Sequence, residues 1–180
     1  MNLGRTLRLF LLFLFLSALA LSQTAETNSP PAPVFRGAFT LKLHTDRKHY
    51  YEQHFESVPY VFENVIYLFV DEHFGVNVTT SGDEISSLAY QPDPAKADVE
   101  FKFWQQNLGG DRLAMMLEIH NNLKRKLFLD AEMIVPGSKG VHKTSILPVG
   151  PGLSDYETWP HPIVQLALGP LRFAEKPSAH

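Results

Sequence analysis

The chain has 180 residues, 44% of them hydrophobic, with 16 basic and 19 acidic residues and a net charge of −3. Cysteine is absent, which excludes disulfides, thiol catalysis, cysteine-ligated zinc and iron–sulfur chemistry. The mild acidity and scattered Lys and Arg leave no basic face for nucleic acid.

Arg5 and Arg8 precede an apolar run from Leu9 to Leu21, and Ala20-Leu21-Ser22 supplies small residues at its end. A basic start, a short apolar stretch and an A-x-A-like finish describe a secretory signal peptide over residues 1–22. The run falls short of the roughly 20 apolar residues that a membrane span needs, so no stable span is expected after cleavage. An uncleaved anchor is the alternative. Removing Arg5 and Arg8 leaves 14 basic residues against 19 acidic ones, a net charge of −5. The protein is therefore expected to be exported, periplasmic or extracellular.

Residues 23–33 contain ETNSPPAP, a polar, proline-rich spacer expected to be extended and poorly ordered. One domain is expected over 34–174, with a frayed tail at 175–180. Phe39, Leu41 and Leu43 alternate with polar neighbours and predict a first strand within Val34–Thr45. Asp46–Ser57 has no clean period and reads as a loop or one short helix. Val58–Val70 is dense in branched and aromatic residues, as in a strand buried on both faces or two short strands broken near Glu63-Asn64. Phe74, Val76 and Val78, the turn signal Ser81-Gly82-Asp83, and Ile85–Tyr90 together predict a β-hairpin.

Asp98–Val135 is the centre of the pattern. Val99, Phe101 and Phe103 share one face; Leu113, Met115, Leu117 and Ile119 share the next; Leu127, Leu129, Ala131 and Met133 the third. Period-two alternation predicts three consecutive strands forming a core sheet, broken by Gly109-Gly110 and by the polar corner Asn121-Asn122. The competing reading is a helix over Leu113–Leu129, capped by Asp111. Lys124-Arg125-Lys126 reads as a solvated turn. Val141–Leu147 predicts a short strand, Pro148–Pro162 an irregular loop, and Ile163–Phe173 a last strand interrupted at Gly169-Pro170. About seven to nine short strands with turns between them argue for an all-β fold, an immunoglobulin-like antiparallel β-sandwich.

Catalytic motifs are missing. Gly152-Leu153-Ser154-Asp155-Tyr156 lacks the second glycine of a nucleophile elbow, and there is neither a phosphate-binding Gly-rich loop nor H-E-x-x-H. No catalytic residue, metal ligand or cofactor is assigned. On strands, Asp71 with His73 and Glu118 with His120 would each share a face, and Met115 or Met116 would add soft ligands. The bland reading is surface histidines and core methionines. Asn77-Val78-Thr79 is a glycosylation sequon of low specificity. Within the proline-rich loop, Tyr156, Glu157, Trp159 and His161 form the candidate binding set, because aromatics on a stiffened loop lose little entropy on binding. The competing role for Trp159 is closure of one end of the sandwich, and Trp104, on the polar side of its strand, raises the same choice. The sequence thus predicts a non-catalytic exported β-sandwich that binds a protein or envelope partner. The alternative is a metal-binding protein built on His and Met.

Overall fold

A computed structural model describes residues 30–110 and 112–174. The signal segment 1–22, linker residues 23–29, the Asp111 cap and the tail 175–180 lie outside the described residues. The strands in chain order are β1 (Phe39–His44), β2 (Tyr50–Phe55), β3 (Val61–Phe62), β4 (Val65–Leu68), β5 (Glu72–Ser81), β6 (Glu84–Gln91), β7 (Val99–Asn107), β8 (Leu113–Asn121), β9 (Phe128–Ile134), β10 (His142–Thr144), β11 (Ser154–Trp159) and β12 (Gln165–Arg172). A 3-10 turn at Pro94–Lys96 is the one helical element among the described residues.

The first sheet has the order β11-β8-β7-β5-β6 and the second β10-β9-β12-β4-β3; β1 and β2 form a separate ribbon. Every pairing is antiparallel. This is the all-β, antiparallel, sandwich-like class that the alternation predicts. The immunoglobulin likeness stays at the level of stacked antiparallel layers. Phe101, Phe103, Leu117 and Ile119 from the first sheet meet Ile66, Leu68, Leu129, Leu166 and Leu168 from the second in one core, and β1 adds Leu41 and Leu43. The helical reading of Leu113–Leu129 is replaced by β8, a chain corner and the start of β9.

Four expectations are corrected. The twelve strands exceed seven to nine because short pieces such as β3 and β10 pair fully, and two segments read as irregular are strands. Asp46–Ser57 contains β2, which pairs residue by residue with β1. Its inward positions are Tyr51, Gln53 and Phe55 and its outward ones Tyr50, Glu52 and His54, so polarity does not alternate cleanly. Pro148–Pro162 contains β11, and Pro148, Pro151, Pro160 and Pro162 all lie outside it, where a missing N–H costs no ladder bond. Finally, β9 does not continue the sheet of β7 and β8. It crosses to the second sheet beside β12.

One buried amide braces the corner where the chain crosses. Asn121 is fully buried; its Nδ2 donates to the carbonyls of Arg125, Val149 and Gly150, and its Oδ1 accepts from Leu123 N. Those bonds brace the corner 122–126 against the Val149-Gly150 segment, where Val149 also bridges Leu127, and Lys124, Arg125 and Lys126 stay exposed. A second amide splices the sheets elsewhere. Glu63 and Asn64 turn β3 into β4 with φ of 49° and 61°, conformations suited to a two-residue hairpin. Asn64 then offers Oδ1 to Leu88 N and donates Nδ2 to Ser86 O, replacing a backbone rung on the edge of β6. Pro30–Pro33, the described part of the linker, lines a cleft there with Phe62, Ser86 and Leu88.

Gly75 sits where the 3-10 turn folds back on β5. A Cβ at this position would lie 2.1 Å from Ala97 Cβ and 2.7 Å from Val99 O. Gly75→Ala is expected to cost about 3 kcal/mol, the upper end for overpacking, since backbone must move. Urea unfolding checks it.

Arg36 is the largest polar investment of the interior. Only 6% exposed, it places Nε and Nη2 on the two oxygens of Glu72, Nη2 also on Tyr67 O, and Nη1 on Pro59 O and Val58 O. The guanidinium lies 3.9 Å from the centroid of the Tyr60 ring. All five donor hydrogens therefore have acceptors, and Glu72 Oε2 also accepts from Phe69 N at 2.8 Å.

Candidate binding face

Pairing with β8 decides where the expected binding residues point. In β11, Asp155, Glu157 and Trp159 face inward and Ser154, Tyr156 and Thr158 outward. Trp159 is 7% exposed, its ring 6.5 Å from that of Phe103 in an edge-on contact, and its Nε1 donates to Thr144 Oγ1 at 2.9 Å. Glu157 Oε1 accepts from Leu147 N at 2.9 Å. These two side chains fasten the edge of the first sheet to the chain at and just after β10, on the edge of the second. His161 is half-buried beyond the strand, beside the carbonyl of Pro162. Tyr156 alone of the four is widely open, at 59% exposure. The four residues do not converge.

Inward carboxyls on an edge strand discourage pairing with another chain. Here they also interact with each other. Burial, followed by the proximity of Asp155, pushes the Glu157 carboxyl above its ordinary 4.5, although its bond from Leu147 N works the other way. Asp155 Oδ2 is buried without a hydrogen-bond partner. Since folded Glu157 binds its proton more tightly than the unfolded chain does, its contribution to stability is lost as pH rises past 4.5. Glu157→Gln keeps the acceptor for Leu147 N and cannot ionise. It is expected to melt higher than the unsubstituted protein at neutral pH, with the gap closing toward about pH 4 in a pH series of thermal melts.

The outward face of the first sheet presents a second set of aromatic and polar side chains. One row across it is Tyr156, Glu118, Lys102 and His73; the next is Ser154, His120, Glu100 and Gly75; a third is Thr158, Met116 and Trp104. Apart from Gly75, these residues are exposed or half-exposed. Tyr156 OH donates to Glu118 Oε1 at 2.6 Å, and that bond raises the phenol pKa above 10.0. Ser154 Oγ bonds the same carboxylate oxygen and lies 2.9 Å from His120 Nδ1. His73 Nε2 meets Glu100 Oε1, Thr158 Oγ1 donates to Met116 Sδ, and Lys102 Nζ lies 5.2 Å from the centroid of the Trp104 ring. Strand geometry puts the Tyr156 and Trp104 attachment points roughly 12 Å apart, from two strand spacings and two residues of rise.

Two chemical readings can be set against this geometry. Ser154, His120 and Glu118 adjoin, yet the carboxylate and the imidazole both bond the serine, so no carboxylate orients the ring for proton relay. For metal, no group of three or more His, Cys, Asp or Glu converges among the described residues. Asp71 turns away at φ 66° ahead of β5, and His73 pairs with Glu100 instead. Met115 is core; His44 packs on Tyr50, His54 on Thr40, and His142 on Ser138. His49 bonds Asp46 and holds that carboxyl down at about 2.

A concavity of about 730 Å³ lies outside the second sheet over the small residues Ala167 and Gly169. Its charged walls partly neutralise one another, Arg172 Nη2 lying 2.9 Å from Asp130 Oδ1.

Compared with known proteins, the chain matches no family model, no curated protein and no solved structure.

Proposed function

We propose that this is an exported, non-catalytic β-sandwich protein that binds a protein or envelope component through the outward face of its first sheet. The observation that carries the proposal is the pair of rings on one face, Tyr156 exposed and Trp104 half-exposed, standing with the half-exposed Met116. Tyr, Trp and Met are enriched where proteins make contact, and the aromatic anchors usually dominate the energy. Export is supported by the leader-like start of the sequence. The Pro148–Pro162 segment contributes through Tyr156, while Glu157 and Trp159 hold the edge in place.

Tyr156→Ala and Trp104→Ala are each expected to reduce recovery of the partner from a solubilised envelope extract about tenfold, the equivalent of about 1.4 kcal/mol. Both variants should melt within a few degrees of the unsubstituted protein. Equal recovery by folded variants contradicts the assignment of the face.

A further inference from the structure

We infer that the partner of this face is a neutral, extended glycan chain, an inference that rests on the face being the recognition surface. The chemistry between the rings is the reason. In protein–protein interfaces charged residues are depleted at the centre and kept to the rim. Here the centre is charged: Glu118, Lys102 and Glu100 lie between or beside Tyr156 and Trp104 in consecutive rows. A flat apolar partner would strip water from these groups and return nothing for it. A polyhydroxylated partner replaces that water with hydroxyl groups that both donate and accept.

The acceptors are already oriented for it. Glu118 is held by Tyr156 and Ser154, and Glu100 by His73, so each carboxylate keeps a fixed position and remaining lone pairs. With the histidines neutral, Lys102 against the two glutamates leaves the face at −1. That balance disfavours a polyanion, which meets the carboxylates, and a single net negative charge offers a polycation little attraction. A pyranose ring offers the complement: hydroxyls around its rim and a patch of C–H bonds on its face. Those C–H bonds suit the electron-rich faces of aromatic rings. Two rings whose attachment points stand roughly 12 Å apart on one sheet face select a ligand long enough to reach both, a short run of sugar units rather than a single one.

The test is a titration of the purified protein with cellohexaose and chitohexaose, followed by tryptophan fluorescence and calorimetry, with oligogalacturonate as the anionic control. Trp159 is buried, so a spectral change reports Trp104. Saturable binding of a neutral oligosaccharide with a sub-millimolar midpoint is expected, at least tenfold weaker in Tyr156→Ala and absent with oligogalacturonate. If neither neutral probe binds at millimolar concentration while envelope extract still shifts Trp104 emission, the glycan inference is overturned and the face assignment stands. If the probes bind but Tyr156→Ala and Trp104→Ala leave their affinity unchanged, both are overturned. Equal binding of oligogalacturonate overturns the charge argument and with it the neutral-glycan inference.

Discussion

Glu72→Ala is expected to lower the melting temperature by roughly 10 °C. Truncation leaves the Arg36 guanidinium, 6% exposed, without its carboxylate, and frees Phe69 N from its acceptor. Removing one partner of a buried pair costs about 3–5 kcal/mol, because the remaining charge stays desolvated. For a domain of this size each kcal/mol shifts melting by about 2–4 °C. Three backbone carbonyls and the Tyr60 ring still surround Arg36, so the fold should survive at low temperature. Arg36→Met combined with Glu72→Met should recover part of the loss, since it removes the stranded charge as well as the pair. Thermal melting followed by circular dichroism decides it; a Glu72→Ala protein that melts within 2–3 °C of the unsubstituted one would show the pair to be dispensable.

The second large effect concerns Trp159. Trp159→Ala is expected to cost about 3–5 kcal/mol, the range for emptying a large aromatic site in a core. The loss has two parts: the packing against Phe103 and the bond to Thr144 that fastens β11 to the opposite edge. Tyr156→Ala, three residues away and outward, should stay within about 0.5 kcal/mol, as ordinary surface changes do. Urea titrations of the two variants side by side make the contrast. Equal stability of both would place Trp159 on the surface, and the seam it forms would be wrong.

The strands were legible where one face is apolar and the other polar. β5, β7 and β8 announce themselves through Phe74, Val76, Phe101, Phe103, Leu117 and Ile119. Turns with left-handed backbone were equally readable, at Glu63-Asn64 and at Gly82. β2 and β11 were not, because their inward positions include the polar residues Gln53, Asp155 and Glu157. The destination of β9 was invisible for another reason. Alternation specifies which face of a strand is buried and is silent about which sheet receives it; the corner before β9 is braced by Asn121 contacts to Val149 and Gly150, 28 and 29 residues away.

The same limit applies to function. Tyr156 stood out as an aromatic of the Pro148–Pro162 segment, and Trp104 was noticed on the polar side of its strand. Their joint membership of one face depends on β8 lying between β11 and β7, which is long-range pairing. Arg36 and Glu72 carried no signal, being 36 residues apart and each ordinary in its own segment.

Hydroxyl-radical footprinting of the protein alone and with envelope extract tests the account most directly. Trp104, Met116 and Tyr156 should be modified in the free protein and protected together when the extract is present, with Trp159 nearly silent in both states. Strong modification of Trp159 in the free protein, or protection elsewhere while Trp104 and Tyr156 stay reactive, would contradict it.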